Sequence, residues 1–290
     1  MKMVSPVIAR PRSPALAVIL TAGVFAIQAA GAQPNYDPSY VAAAPHAAKG
    51  FELFQQGKFP ESEAEYRQAI KHCPLTMDFQ VGLAAACVKN QRLDEAAGIY
   101  RMVLDKEPTR VELLDDYGDV LYQLKKLEEA LTIYKRSIES DPKTTVSHRK
   151  LGTVLTELGK GNEAIAEYQK AIEAEPNDGS LYYALGTIQW RAADPAAALE
   201  SYRKAAELKP DDANYQGALA YAFMNAKDYD NAVETYKKAV RLNVADPNLQ
   251  QGLQTALQYQ AYEKQKRELE AKKKAEEEAK RRAQQHRGRY

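Results

Sequence analysis

The chain has 290 residues, of which 45% are hydrophobic and 27% are charged, with a formal net charge of +1. This hydrophobic share is ordinary for a soluble protein and excludes a chain too polar to bury a core. The small net charge hides an asymmetry: residues 1–32 carry +3 and residues 263–290 carry +5, which leaves −7 on the body between them.

The first 32 residues have the three parts of a secretory signal peptide. Three basic residues precede an apolar stretch from Ala15 to Ala26, and Ala30-Gly31-Ala32 fits the small-x-small cleavage rule. This predicts cleavage after Ala32 and a periplasmic, or otherwise secreted, bacterial protein. The apolar stretch is shorter than the roughly 20 residues that a membrane span needs. The alternative interpretation is an uncleaved anchor.

Residues 33–42 contain two prolines and predict a flexible lead-in. Beyond them, one interval of 34 residues recurs. Prolines that keep this interval are Pro74, Pro108, Pro142, Pro176 and Pro210. Tyrosines that keep it are Tyr66, Tyr100, Tyr134, Tyr168, Tyr202 and Tyr236. An interval held over so much of the chain indicates one small repeated unit.

Setting each proline at place 32 of a 34-residue unit divides the chain into six units. They are residues 43–76, 77–110, 111–144, 145–178, 179–212 and 213–246, followed by an incomplete unit from Pro247. Places 8, 20 and 27 hold small residues in nearly every unit, and place 24 is always tyrosine. Small residues let two helices cross closely, and the proline stops the second helix. Each unit is therefore predicted to be two helices that must stack on their neighbours.

This pattern resembles that of the tetratricopeptide repeat family, over about Ala43 to Leu257. The resemblance implies an all-α fold: a right-handed superhelical solenoid of antiparallel helix pairs, with six units and a C-terminal capping helix over residues 247–262. Its concave face would be lined by the first helix of each pair. Gly161 stands at place 17, where sister units have larger residues, and predicts looser packing in the fourth unit.

In this family, ligand peptides usually lie in the concave groove and contact places 2, 5, 9, 12 and 13 of each unit. Carried over residue by residue, the resemblance implies the following candidate groove residues: Phe51, Phe54, Glu112, Asp115, Asp119, Tyr122, Arg149, Tyr183, Trp190, Tyr221 and Met224. Some family members clamp a C-terminal carboxylate with lysine and asparagine at places 5 and 9. That pair is absent here, which argues against this mode of binding.

Three of the candidates, Glu112, Asp115 and Asp119, form an acidic patch in the third unit. We expect it to attract a basic side chain of the bound segment.

Four other candidates form an aromatic patch: Tyr183, Trp190, Tyr221 and Met224. Exposed aromatic residues among polar ones are typical anchors of a binding surface. The alternative, that they pack between neighbouring helices, stays open, with about equal weight for Tyr183 and Tyr221. The hypothesis is an extended segment whose apolar side chains lie on the aromatic patch.

The sequence shows no catalytic or metal-binding constellation. The four histidines are scattered, and no glycine-rich phosphate loop is present. We therefore expect no enzyme activity, cofactor or metal. Cys73 and Cys87 are predicted not to pair, because helical geometry separates them by about 15 Å.

The C-terminal tail, residues 263–290, is rich in Glu, Lys, Arg and Ala, which favour a helix that continues into solvent. A solvated helix that keeps the protein soluble is one interpretation, and contact with an anionic surface is the other. A coiled coil is disfavoured, because Leu269 is the one large apolar residue in the charged run. We expect a monomer that does not bind nucleic acid.

The sequence thus predicts a non-enzymatic scaffold of the bacterial cell envelope that binds a protein or peptide partner. The alternatives are a periplasmic chaperone or assembly factor and, less favoured, a regulatory subunit of an envelope enzyme.

Overall fold

The computed structural model describes residues 37–287, so the predicted signal peptide and residues 33–36 of the lead-in lie outside it. The described residues form helices and no strand. The helices are α1 (Pro38–Gln55), α2 (Phe59–His72), α3 (Met77–Lys89), α4 (Leu93–Leu104), α5 (Val111–Gln123), α6 (Leu127–Ser140), α7 (Thr145–Glu157), α8 (Gly161–Ala174), α9 (Gly179–Arg191), α10 (Pro195–Leu208), α11 (Ala213–Asn225), α12 (Tyr229–Leu242) and α13 (Pro247–Arg287).

The helices fall into two compact units that meet in sequence at Lys160 and Gly161. The first unit holds α1 to α7, and the second holds α8 to α13. Within each unit, helices that follow one another in the chain pack together. The fold is an all-α helical repeat, and the boundary between the units falls inside the fourth predicted repeat.

The 34-residue interval predicts where the first helix of most repeats begins. Helices α3, α5, α7, α9 and α11 begin at the first residue of units two to six, and α13 begins at Pro247. Aspartates immediately before several helices cap them: the Asp178 carboxylate accepts from the Ser180 backbone N–H at 2.9 Å, as Asp212 does from Asn214. Such capping fixes the start of a helix locally.

The first helix departs from this rule. It begins at Pro38 rather than Ala43, so residues 38–42 of the predicted lead-in are helical. The Asp37 carboxylate accepts from the Ser39 backbone N–H at 2.9 Å, and proline suits the first turn of a helix. The Tyr40 ring stacks on Phe79 of α3 at 5.9 Å. This contact with the next repeat stabilises the extra turn.

The turn inside each repeat has one conformation. The residue at place 15 has a positive φ, between 60° and 75°, in all six repeats. Glycine stands there only at Gly57 and Gly159. The other four are Gln91, Lys125, Ala193 and Lys227. A side chain in this left-handed region costs about 1 kcal/mol, so packing of the flanking helices must stabilise these turns.

The tyrosines at place 24 form the centre of the core. All six are at most 6% exposed, and the alanines at places 20 and 27 around them are fully buried. Several rings lie where a glycine leaves room: a Cβ at Gly118 would lie 2.5 Å from the Tyr134 ring, and one at Gly252 would lie 2.5 Å from Tyr236. The recurring small residues thus leave the space in which the tyrosine ring is buried.

Helix α13 joins the predicted capping helix and the charged tail in one element of 41 residues. Its first turns pack on α12 and α11, where Leu249 and Ala256 are buried. Residues 264–281 are exposed throughout. Among the described residues, no helix combines the length and apolar character needed to cross a membrane.

Candidate binding surface

The predicted groove residues of the first repeat lie in packing positions. Phe51 is 6% exposed. Phe54 is half-buried and meets the edge of the Phe59 ring at 5.3 Å across the hairpin of α1 and α2. Phe51 therefore offers no free surface to a partner, and Phe54 offers little.

Asp115 of the predicted acidic patch is buried, with 8% of the residue exposed. Its carboxylate accepts hydrogen bonds from the Ser137 and Ser147 hydroxyls at 3.0 and 2.7 Å. Burial raises the pKa of the Asp115 carboxyl, and the two serines only partly offset this effect. The residue links α5, α6 and α7 inside the first unit and is not accessible to a ligand.

Asp119 is also engaged within the chain. One carboxylate oxygen accepts from the Tyr134 hydroxyl at 2.6 Å, and the other from the Lys150 ammonium at 2.7 Å. Burial, and then the negative charge of Asp119, raise the pKa of Tyr134 well above its ordinary range. Lys150 comes from the next repeat and pairs with Asp119, whose side chain is 43% exposed, and Glu112 is exposed as well.

Two further candidates belong to the same first unit. The Tyr122 hydroxyl donates to the carboxylate of Glu157, and the Lys125 ammonium lies 5.3 Å from the Tyr122 ring centroid. Hydrogen bonding to Tyr122 lowers the pKa of Glu157. Arg149 is exposed. This surface is polar and mixed in charge rather than acidic.

In the second unit, Tyr183 packs between helices. Its ring stacks on Tyr215 at 5.1 Å and lies 5.8 Å from the buried Tyr202. Tyr183 therefore belongs to the cluster that joins α9, α10 and α11, and the packing alternative describes it better than the groove.

Trp190 and Tyr221 form an accessible aromatic pair. The two rings meet edge to face at 5.1 Å, an arrangement that favours aromatic association. Tyr221 keeps 48% of its surface exposed. Trp190 is half-buried, and packing on the α9–α11 cluster holds it in place.

Tyr221 also lines an open depression of about 520 Å³ between α11, α12 and α13. Helix α11 contributes Met224 and Asn225 as well, and the buried Tyr236 closes the bottom. The wall that α13 supplies consists of Asn248, Gln251, Gly252, Thr255 and Tyr259.

The residues that line this depression are nearly all uncharged. Lys227, at its edge, is the one charged residue that lines it. Among the described residues, the side-chain amides of Asn248 and Gln251 have no hydrogen-bond partner within the chain. Tyr259 stacks on Tyr229 at 5.5 Å and remains 49% exposed. The surface thus combines aromatic faces with free amides, which can bind peptide groups.

Within the described part of the chain, one group of three possible metal ligands comes together: Glu63, Cys87 and Glu95, within 4.8 Å. Arg67 and Arg92 pair with both carboxylates. Burial raises the pKa of the Cys87 thiol to about 12, so it is a neutral thiol. The charges are already balanced, and the group is an ion network between α2, α3 and α4.

Models of tetratricopeptide repeats match most of the repetitive region. They cover residues 48–111 and 183–248, residues 111–144, and residues 152–192. The chain belongs to the tetratricopeptide repeat (TPR) family. No curated protein matches the sequence.

Solved TPR structures resemble the chain at low sequence identity, which shows the shared fold. PilF of Pseudomonas aeruginosa is 19% identical, with a TM-score of 0.60 over 74% of this chain and 98% of its own. MamA of Desulfovibrio magneticus RS-1 is 20% identical, with a TM-score of 0.55 over 59% and 97%. YrrB, described as a TPR protein with an unusual peptide-binding site, is 18% identical, with a TM-score of 0.55 over 64% and 96%.

The TPR register explains why α13 supplies a wall of the depression. Counting from Pro247, Asn248, Gln251, Thr255 and Tyr259 occupy places 2, 5, 9 and 13 of the incomplete seventh repeat. They are the same places as the groove residues of complete repeats. This segment was expected to be a capping helix, although the same count, carried past Pro247, identifies these four residues as groove positions.

Proposed function

We propose that this TPR protein is a non-enzymatic scaffold that binds an extended, largely uncharged segment of a protein partner. The observation that carries the proposal is the convergence of groove places from two successive repeats in one depression. Tyr221 and Tyr259 offer exposed aromatic surface there. Segments bound in this way contribute apolar side chains and backbone hydrogen bonds.

The composition of the depression favours this partner over a basic one. Tyr221, Tyr229 and Tyr259 provide apolar faces for side chains, while the free amides of Asn248 and Gln251 match the donors and acceptors of an extended backbone. Lys227 tolerates one acidic side chain at the edge. A basic side chain of the partner is no longer expected to bind Asp119, because Lys150 already pairs with that carboxylate.

The experiment compares three single substitutions on this surface. Partners are first captured from the envelope fraction, and the affinity of the retained segment is then measured by calorimetry. Tyr221→Ala and Tyr259→Ala should each weaken binding by about tenfold or more, as for aromatic anchors. Tyr262→Ala is the control, because Tyr262 is 60% exposed on the same helix and does not line the depression. Equal effects of all three substitutions would reject the proposed site.

The same capture separates a scaffold from a chaperone. Retention of one partner in fixed stoichiometry supports the scaffold. Retention of many unfolded chains supports a periplasmic chaperone or assembly factor instead.

Export to the periplasm is a second part of the proposal and rests on the N-terminal sequence. N-terminal sequencing of the protein isolated from cells should begin at Gln33. A chain that keeps its first residues and stays in the cytoplasmic fraction would contradict export without affecting the binding site.

A further inference from the structure

Helix α13 leaves the repeats as a free helix whose charges have an unusual order. Three lysines (272–274) precede Ala275, and three glutamates (276–278) follow it. Side chains 264–281 are exposed, and between Glu268 and Arg281 no ion pair joins two described side chains. These charges are therefore available to a partner.

The order of charges is self-complementary in an antiparallel arrangement. If two copies of the helix cross antiparallel with Ala275 opposite Ala275, Lys272 of one copy lies beside the second copy's Glu276, and Lys274 lies beside the second copy's Glu278. A parallel pair in register would instead place like charges side by side, which is unfavourable. We propose that two copies of this chain associate through antiparallel pairing of their free helices, centred on Ala275.

The length of the free helix is also consistent with a pair centred on Ala275. Glu263, where the helix becomes free, and Arg287, where the described helix ends, are each twelve residues from Ala275. At about 1.5 Å per residue, each half is about 18 Å long. The end of one helix would therefore reach the level at which the other leaves its repeats, so the whole free helix of each copy is used.

One face of the helix has the small side chains that close approach needs. Ala271, Ala275 and Ala279 recur every four residues and lie along one side of the helix. Lysine and glutamate flank this face on both sides. At 100° per residue, Lys272 and Glu276 lie on one flank, and Lys274 and Glu278 lie on the other. In an antiparallel pair each flank meets the same flank of the second copy, so attraction acts on both sides.

The same face continues to an open depression at the base of the free helix. Leu257, Ala261, Lys264 and Glu268 follow the spacing four, three and four residues toward Ala271, and all four line a depression of about 640 Å³. The opposite wall consists of residues 227–230. In the proposed pair, the last turn of the second copy's helix lies at the level of residues 263–266, beside Lys264 at the edge of this depression.

A dimer held by its free helices differs from the monomer, and from the contact of the tail with an anionic surface, that the sequence led us to expect. At 100° per residue, Lys266, Lys273 and Lys280 form one narrow basic stripe on the side opposite Ala275, and Glu276 and Glu277 border it. The other basic residues are spread around the helix among acidic ones. A helix that binds anionic lipid concentrates its basic residues on one face. The charge pattern matches a second copy better than a lipid surface.

The first test is self-association of the protein as isolated from cells, measured by sedimentation equilibrium over a range of concentrations. We expect a reversible monomer–dimer equilibrium that weakens with salt, because exposed charges are screened over about 10 Å at 0.1 M. Two variants reverse the charges: an acidic one (Lys272→Glu, Lys273→Glu, Lys274→Glu) and a basic one (Glu276→Lys, Glu277→Lys, Glu278→Lys). We expect the self-association constant of each variant alone to fall by about tenfold or more. An equimolar mixture of the two should recover the association.

The control variant exchanges all six charges and keeps the pattern self-complementary, so it should dimerise like the wild type. It keeps opposite charges at the i,i+4 pairs 272/276, 273/277 and 274/278, but places like charges at 268/272, 270/274, 276/280, 277/281 and 278/282. Circular dichroism of each variant checks that the helix is retained. A wild-type protein that stays monomeric at low salt would overturn the proposal, and if that monomer bound anionic vesicles, the tail would be assigned to lipid.

Cross-linking tests the direction of pairing. In a Cys73→Ser background, the antiparallel pair brings position 271 of one copy next to position 279 of the other, within the roughly 7 Å that a disulfide needs. Cys87 is buried and does not compete. A mixture of Ala271→Cys and Ala279→Cys should cross-link, whereas each variant alone should not. Efficient cross-linking of either variant alone indicates a parallel pair and overturns the proposal.

Discussion

Replacing Gly118 by alanine tests the packing rule on which every repeat depends. A Cβ at this position would lie 2.5, 2.7 and 2.9 Å from three atoms of the Tyr134 ring. The ring cannot easily move away, because its hydroxyl donates to the Asp119 carboxylate at 2.6 Å. Overpacking of this kind costs about 1–3 kcal/mol, and the tethered ring favours the upper half of that range.

Alanine also favours the helix by about 1 kcal/mol relative to glycine. We therefore expect Gly118→Ala to lower the free energy of unfolding by about 1–2 kcal/mol. Gly98→Ala is the matched control, because Gly98 lies inside α4 and a Cβ there meets nothing within 4 Å. That substitution should raise the free energy of unfolding by about 0.5–1 kcal/mol.

Urea unfolding followed by circular dichroism measures both changes as shifts of the midpoint at equal slope. A double-mutant cycle then identifies the cause. The second repeat already has Ala84 at the place of Gly118, and there Ala85 replaces the aspartate. In an Asp119→Ala background, the cost of Gly118→Ala should therefore shrink. If Gly118→Ala stabilised the protein as Gly98→Ala does, the Tyr134 ring would not be held in place by Asp119.

Two further substitutions probe the buried charges. Glu63→Gln should lower the free energy of unfolding by about 1–3 kcal/mol, since it removes the buried carboxylate that Arg67 and Arg92 share and leaves both arginines with Glu95 alone. Glu61→Gln on the exposed side of the same helix should change little, and equal effects in chemical unfolding would contradict the role of Glu63. The second substitution uses the raised pKa of Asp115, which lets the folded protein keep a proton that the unfolded chain has already lost. The stability that this group contributes is therefore fully present below the unfolded pKa, about 3.9, and is lost as the pH rises through the folded pKa. Relative to Asp115→Asn, the wild type should lose stability over this range, and a constant difference between their melting temperatures would refute the assignment.

The sequence predicted the repeat with high accuracy, because its signals are local. Proline at place 32 and small residues at places 8, 20 and 27 act within one helix pair, and helices α3 to α11 follow the predicted register. The conformation of the turns could not be predicted from the sequence in the same way. At place 15 the chain has glycine in only two repeats, so composition alone does not indicate six left-handed turns.

The candidate site was harder to predict, because it depends on contacts between repeats. Lys150 neutralises Asp119 from a position 31 residues away, and two serines make Asp115 part of the core. Neither effect follows from the spacing within one unit. Tyr183 likewise packs on Tyr215 of the next repeat. Positions in the groove register describe where a residue lies along a helix, while neighbouring repeats decide whether it remains exposed.

The contact between Trp190 and Tyr221 has a practical consequence. The chain has 18 tyrosines but a single tryptophan, and that tryptophan touches a wall of the proposed binding depression. Fluorescence excited selectively in the indole ring therefore comes from one spot on the molecule. A ligand that changes the environment of Tyr221 should shift this emission, so the protein contains its own optical reporter and binding can be followed without a label.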